Sequence, residues 1–400
     1  MAQSIEIARW EWRIGDPGDP AHLLQDFVVS HGLPAHNLTD LSLEYRARLS
    51  EDMRDRHVAL LISAAGSAEI AGFAATDFHA ANFCTGDGIS SGSAPGSPPT
   101  PAPGLPDLAA VIFTSKPAPV APSNWATASY ELGDWQSSWS AEEHRGAIGK
   151  VRDAIAAGEL YQVNMVGHSS APYRGDPRAG LIAVSTLAGA TYGQVLDGPG
   201  WAVATGSSEL LLSVRDGTIE TRPIKGTRSR TDTGRRELLA SEKERAEHIM
   251  IVDMARNDMA QVATIGSVVV EELFVPQAWC QLWQAESVVR AQLMPGAALS
   301  DVLRALCPAA SVTGAPKRAA VALIDQLEPV GRGPSMGAMG WLSASGLELA
   351  VTIRSVAAVA GRLHVWGGGG ITWGSDPDAE VAEAAEKIRP IRDNLYRFAE

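Results

Sequence analysis

The chain has 400 residues, of which 45% are hydrophobic and 20% charged, with a formal net charge of −13. This is a globular composition, not a disordered one. The acidic balance argues against a nucleic-acid surface, which needs clustered Lys and Arg.

The first residues, MAQSIEIARWEW, lack a basic stretch followed by an apolar run, so no secretory signal is predicted. No run is apolar and long enough for a membrane-spanning helix. Cys84, Cys280 and Cys307 are too far apart for a zinc site and odd in number, so they are read as reduced thiols of a cytoplasmic protein. Residues 56–78 and 108–115 are rich in apolar residues and predict buried strands. Between them, 85–106 is nearly all Gly, Ser, Pro and Thr, and predicts an exposed, mobile loop.

From residue 140 the character changes. Ser140 and Glu143 form a potential capping box opening an amphipathic helix that ends near Gly158. A strand is predicted over 160–169. Residues 201–223 read as strand, turn, strand, with Asp216-Gly217 as the hairpin signal. One long helix is predicted over 236–258, a hairpin over 351–370 turning at Ala360-Gly361, and a helix over 377–398. Strands joined by hairpins point to antiparallel sheets with helices laid against them. The division predicted is an N-terminal part, 1–139, and a region 140–400 carrying the chemistry, within one structural domain.

Four segments stand out chemically. Glu244 and Glu247 are three apart, as are Glu380 and Glu383. On a helix such pairs share a face, and four carboxylates around one point suit Mg²⁺, which prefers oxygen ligands. Spacing alone equally allows two solvated helix faces. Lys225 lies between Pro223, which stiffens the chain, and Gly226, which permits an unusual turn. If buried there, its pKa would fall and its amine would become a nucleophile; an exposed loop lysine is the plainer alternative. GGGGI (367–371) predicts a turn after a strand, where bare backbone N–H groups approach an anion. It contains no Walker or GxGxxG pattern, so a nucleotide cofactor is not supported. SVTGAPK (311–317) opens a helical run, and a helix N-terminus with hydroxyls is a natural carboxylate site or simply a cap.

Taken in order, GELYQVN (158–164), PIKGT (223–227), AEHIMIVDMARND (246–258), GSVVVEEL (266–273), SVTGAPKRAA (311–320), DQLEPVGRGP (325–334), TIRS (352–355) and GGGGITWGSDPDAE (367–380) resemble the chorismate-binding enzyme family. The resemblance covers about two-thirds of the chain. It implies an α+β fold with two large, mostly antiparallel sheets and flanking helices. It also implies chorismate as substrate and Mg²⁺ as cofactor. Water-adding members carry a lysine where Gln162 stands, and Gln162 has no amine to act as base. PIKGT, with Lys225, is similar to the branch that forms 4-amino-4-deoxychorismate on the way to p-aminobenzoate and folate.

The roles below are implied by that resemblance. Lys225 attacks ring C2, and Glu209, the acid in SSEL, protonates the leaving C4 hydroxyl. Ammonia from a separate glutamine amidotransferase subunit then adds at C4 and expels Lys225. Glu247 and Glu383 hold Mg²⁺ with Glu244 and Glu380 in support. Arg354 and Lys387 take substrate carboxylates, and Gln162, Thr227, Ser311, Thr313, Gly368 and Gly369 complete substrate binding. Two positions depart from the family pattern: Gln284 replaces a histidine and Ser335 replaces a tyrosine. The alternatives are an enzyme making anthranilate or 2-amino-2-deoxyisochorismate, and a chorismate-binding homologue that has lost catalysis.

Overall fold

The computed structural model describes residues 4–73, 98–115 and 129–399. Most of the 85–106 segment, and Cys84, lie outside these residues. The described end of that segment is not an exposed loop. Ala102 and Leu105 are buried, and the Pro99 carbonyl accepts a hydrogen bond from Gly331 N–H. Two apolar side chains in an otherwise polar run are enough to pin it.

The architecture is α+β, as the motifs imply. A ten-stranded and an eight-stranded sheet are each paired antiparallel. In the larger sheet, Glu6–Trp12, Leu108–Phe113 and His57–Ile62 run beside Ala338–Ser343, so the N-terminal and C-terminal parts of the chain share one sheet. In the smaller sheet, Gln162–Gly175 pairs with Arg362–Ile371, which pairs with Ser355–Val359. Side chains of both sheets, such as Leu60, Leu212, Val203 and Val359, join the largest buried apolar cluster. Each such aliphatic side chain contributes about 1.5–3 kcal/mol when fully buried. The other face of the smaller sheet is covered by helices Arg178–Ser185 and Pro377–Arg397 through Leu181, Val184, Ile391 and Leu395.

Several local expectations hold. Ser140 and Glu143 close a reciprocal capping box on helix Ala141–Ala156. The hairpin turns at Asp216-Gly217 and Ala360-Gly361 have positive φ at both residues, as tight hairpin turns require. The helix Pro377–Arg397 matches its predicted span.

Others need correction. Among the described residues of the apolar run 56–78, the strand is His57–Ile62. Ser63 then accepts from Gly66 N–H and starts the helix Ala64–Ile70. The strand predicted over 160–169 extends from Gln162 to Gly175. Residues 201–223 form three strands, because Trp201–Thr205 belongs to the smaller sheet and Leu210–Arg215 to the larger. The single helix over 236–258 is two helices, Asp232–Ala240 and Glu242–Ala260. Ser241 breaks them with an extended backbone, and its side chain accepts from Glu244 N–H. Hydrophobic period alone does not register this break, because a serine that caps the next helix reads as one more polar position. Finally, the glycines at 367–370 lie inside strand Arg362–Ile371, not in a turn after it.

Candidate active site

The strand Ile224–Ser229 carries Lys225 and pairs with Leu282–Gln292, with a register shift between Lys225 and Arg228. Gly226 there has φ +80, and a Cβ would stand 2.8 Å from Leu238. The bend this glycine allows lets the strand pass close to Leu238 and Glu244. Lys225 is directed to helix Glu242–Ala260, where its Nζ is 3.1 Å from Glu247 Oε2. The side chains of Lys225 and Glu247 are only 13% and 11% exposed.

Twelve predicted site residues line one pocket of about 840 Å³, part of it open to solvent. They are Lys225, Glu209, Thr227, Ser311, Arg354, Gly368, Gly369, Lys387 and the glutamates 244, 247, 380 and 383. Two do not. Gln162 is fully buried and does not line the pocket. It lies under Gly370, where a Cβ would meet its amide at 2.9 Å, and neither amide atom has a hydrogen-bond partner. Thr313 is also buried, and its hydroxyl donates to the Ala309 carbonyl at 2.8 Å. The pocket meets the 311–317 segment at Ser311 and Val312, before the helix Lys317–Leu327 begins, so that helix N-terminus offers no carboxylate site here.

The glycine strand forms one face of the pocket. A Cβ at Gly370 would fall on Lys225 Nζ, and one at Gly369 would stand 3.1 Å from Glu380 and 3.5 Å from Lys387. The absence of side chains thus makes room for those of other elements. The backbone is less available than predicted, because Gly368–Gly370 pair with Asn164–Val166 and the Gly368 carbonyl accepts from Lys387 Nζ at 3.0 Å.

Four carboxylates sit among cations. Glu244 pairs with Arg228 at 2.9 Å, and Glu383 with Lys387 at 2.5 Å. Glu247 also accepts from Thr372 at 2.8 Å and Glu380 from Ser375 at 2.7 Å. Burial pushes Glu380 upward, Ser375 opposes this and Glu383 adds to it. Burial also acts to raise Glu383, but Lys387 above all pulls it below the usual range. The four carboxylates offer oxygen donors, which suit a hard divalent ion. Their present rotamers serve other partners, and among the described residues no three acidic, His or Cys side chains converge on one point.

The expected lowering of Lys225 is not what the electrostatics give. Burial does disfavour its ammonium, but Glu247, Glu244 and Glu383 outweigh burial and raise it above the ordinary lysine value. Glu209 behaves in the opposite way. It is 3% exposed, and burial raises its carboxyl to about 7 with Glu286 adding, against the Ser311 hydroxyl, the Ile224 N–H and Arg354. Its carboxyl therefore titrates near neutral pH and is protonated there in part. Arg354 is 5% exposed at φ +55, and burial brings it down to about 10. Its guanidinium lies 4.4 Å from the Trp279 ring centroid, and Nη1 donates to the Lys387 carbonyl at 3.3 Å.

Of the two departures, Gln284 lines the pocket and accepts from Ser208 Oγ at 2.9 Å. Ser335 is fully buried and turned to the Thr352 carbonyl at 3.4 Å, and its neighbour Met336, at φ +62, reaches the pocket instead. Sequence reasoning missed Asn164, Lys243, Met336 and Trp366 in the lining. Asn164 and Lys243 adjoin motif residues and were within reach of it. Trp366 and Met336 likewise border singled-out residues, Gly367 and Ser335, but their side-chain types do not point to this chemistry.

The family model described as chorismate binding enzyme matches residues 108–393. Aminodeoxychorismate synthase component 1 of Escherichia coli (strain K12) is 36% identical over 271 residues, covering 66% of this chain and 60% of the relative. Anthranilate synthase component 1 of Pseudomonas aeruginosa is 36% identical over 264 residues, covering 64% and 54%. The chain thus spans about three-fifths of the length of such relatives. The crystal structure of anthranilate synthase component I from Streptococcus pneumoniae TIGR4 has the same fold, at TM-score 0.75 and 21% identity over 98% of this chain and 92% of that one. The menaquinone-specific isochorismate synthase of Escherichia coli is similar at TM-score 0.63 and 16% identity, over 98% and 94%.

Proposed function

The chain belongs to the chorismate binding enzyme family, and on that premise we propose that it aminates chorismate at C4 through a covalent Lys225 adduct. The observation that carries this reading is that Lys225 and Glu209, a carboxyl that burial raises to about 7, line the same pocket. One is a nucleophile by type, the other an acid at neutral pH.

The neutral amine of Lys225 attacks C2 of the ring. The C2–N bond forms, the ring double bonds shift and the C4–O bond breaks, with Glu209 delivering the proton that lets the hydroxyl leave as water. Ammonia then forms a bond to C4, the electrons return, and the C2–N bond breaks to release Lys225. Glu209, left as carboxylate, is available to recover a proton from the adding ammonia. The product, 4-amino-4-deoxychorismate, retains the pyruvyl group.

Glu244, Glu247, Glu380 and Glu383 are the side chains that would hold Mg²⁺. The ion would supply charge balance for these carboxylates and the ring carboxylate of chorismate. Glutamates so balanced would hold the proton on Lys225 less firmly, and its burial would then favour the free amine. Arg354 and Lys387 stand on the same pocket as cations for the substrate carboxylates. The reading extends to ammonia supplied by a separate glutamine amidotransferase subunit, a cytoplasmic setting and a role in p-aminobenzoate and folate synthesis. Among the described residues no helix is long and apolar enough to cross a membrane.

Incubation with chorismate, Mg²⁺ and an ammonium salt, followed by mass spectrometry with and without an aminodeoxychorismate lyase, tests this directly. Aminodeoxychorismate is expected, turning into p-aminobenzoate only with lyase. Anthranilate formed without lyase would overturn the reading in favour of the anthranilate branch, to which relatives of equal identity belong.

A further inference from the structure

The motif DQLEPVGRGP is absent from the pocket's lining, yet it touches the backbone directly behind it. Strand Gln162–Gly175 is paired along one edge by Arg362–Ile371, with Gly368 opposite Val166 and Gly370 opposite Asn164. Its other edge is paired at Gln162–Val163 by Gly314–Ala315, and at Ser169–Ser170 by Gln136–Ser137. Between these two stretches no strand among the described residues lies beside Asn164–Val166.

Side chains fill the gap. The Asn164 carbonyl accepts from Arg332 Nη2 at 2.6 Å, and Val166 N–H donates to Glu328 Oε1 at 2.8 Å. Arg332 Nε donates to Glu328 Oε2 at 2.8 Å, and Nη1 donates to the Val312 carbonyl at 2.6 Å. Arg332 is 7% exposed and Glu328 4%. A buried ion pair therefore stands in for a missing strand, meeting backbone groups that burial would otherwise leave unpaired. Its planar fork spans two segments at once. One carries Asn164, the other Ser311 and Val312, and all three line the pocket.

We propose that Arg332 and Glu328 are positioning residues of this site. Together with the bonds from Asn164 N–H to the Thr313 carbonyl at 2.7 Å and from Asn164 Nδ2 to the Ser311 carbonyl at 3.3 Å, their pair holds the Asn164 strand against Ser311–Val312 and so places Ser311, which lines the pocket with Glu209. Neither residue lines the pocket, so they act through others. The functional meaning of this placement rests on the reading of the pocket as the catalytic site.

Two variants test it. Arg332→Lys keeps the charge but loses the fork that reaches three acceptors. Arg332→Met with Glu328→Met removes both charges, an exchange that folds commonly tolerate, but leaves the Asn164 carbonyl and Val166 N–H unmet. Two quantities are measured: kcat and KM for chorismate across pH, and the midpoint of the Glu209 carboxyl by infrared titration, assigned by its loss in Glu209→Gln. The groups facing Glu209 are Glu286, Arg354, the Ser311 hydroxyl and the Ile224 N–H. Ser311 lowers Glu209, so its withdrawal moves the midpoint upward. Both variants are expected to unfold cooperatively, to show that upward shift, and to lose about 10–100-fold in kcat/KM, mainly in kcat. Combined with Ser311→Ala, their effects should not add. A wild-type midpoint together with kcat per folded molecule within about twofold of wild type, the tolerance of independent sites, would overturn the proposal. The titration needs no substrate. If wild type leaves chorismate untouched while the variants still shift Glu209, the positioning stands and the functional reading falls.

Discussion

The two walls of the pocket both carry a lysine and two glutamates, yet they hold them differently. On one side, strand Ile224–Ser229 places Lys225 against Glu244 and Glu247 of helix Glu242–Ala260, with Glu209 buried nearby. On the other, helix Pro377–Arg397 carries Glu380, Glu383 and Lys387 over the glycine strand, and Arg354 is tied to it through the Lys387 carbonyl. The second lysine is paired within its own helix, four residues from Glu383. The first reaches its partner across two elements, so its setting depends on tertiary structure. The first wall also holds the one acid that burial raises to about 7. A lysine and carboxylates do not make a reactive site by themselves; the difference lies in which group is left without a counter-charge. In the proposed reaction, chemistry falls to the first wall and binding to the second.

That division can be broken by substitution. Lys225→Met should abolish product formation by at least about 10³-fold in kcat, the scale of removing a covalent nucleophile. Full aminodeoxychorismate formation by this variant would end the covalent mechanism. Glu209→Gln should lower kcat by roughly 10²–10⁴-fold, as for loss of a general acid. The wild-type rate should decline as pH rises through about 7, where Glu209 gives up its proton, and the residual rate of the variant should lack that decline. Arg354→Lys should raise KM for chorismate by roughly 10–100-fold, the equivalent of about 1.5–3 kcal/mol for a hydrogen bond to a charged group, with kcat little changed. A fall in kcat instead would erase the distinction between the walls.

The smallest effect concerns stability. The folded Glu209 value of about 7 lies above its ordinary 4.5, so the folded state binds the extra proton between these values. Stability is therefore lost as pH rises from 4.5 to about 7, and the loss is complete above that range. Glu209→Gln should recover about 1–3 kcal/mol at pH 8 and gain nothing from this source below pH 4.5. Thermal denaturation of both proteins at the two pH values checks it.

Much of this was legible in the sequence. The hairpin turns and the capping box announced themselves because each depends on two adjacent or closely spaced residues. The two carboxylate pairs lie on helices, as their spacing suggested, whereas PIKGT, read as a stiffened turn, lies on strand Ile224–Ser229. What escaped depends on distant partners. The break at Ser241 and the sheet change after Thr205 are invisible to periodicity. Gln162 and Thr313 sit inside motifs, but strand pairing and local backbone hydrogen bonds turn them away from the pocket. The charge state of Lys225 could not be read from its flanking residues. Those residues bear on burial alone, while the deciding carboxylates come from two helices later in the chain.

The bare strand at 367–370 has a consequence for how such a pocket can diversify. A Cβ at Gly370 would fall against Lys225 Nζ and one at Gly369 would stand 3.1 Å from Glu380, so a side chain on this face must first displace the end of a charged one. On the opposite rim the lining is made by side chains of the rim itself, Gln284 and Thr227, so a substitution there reshapes the pocket directly.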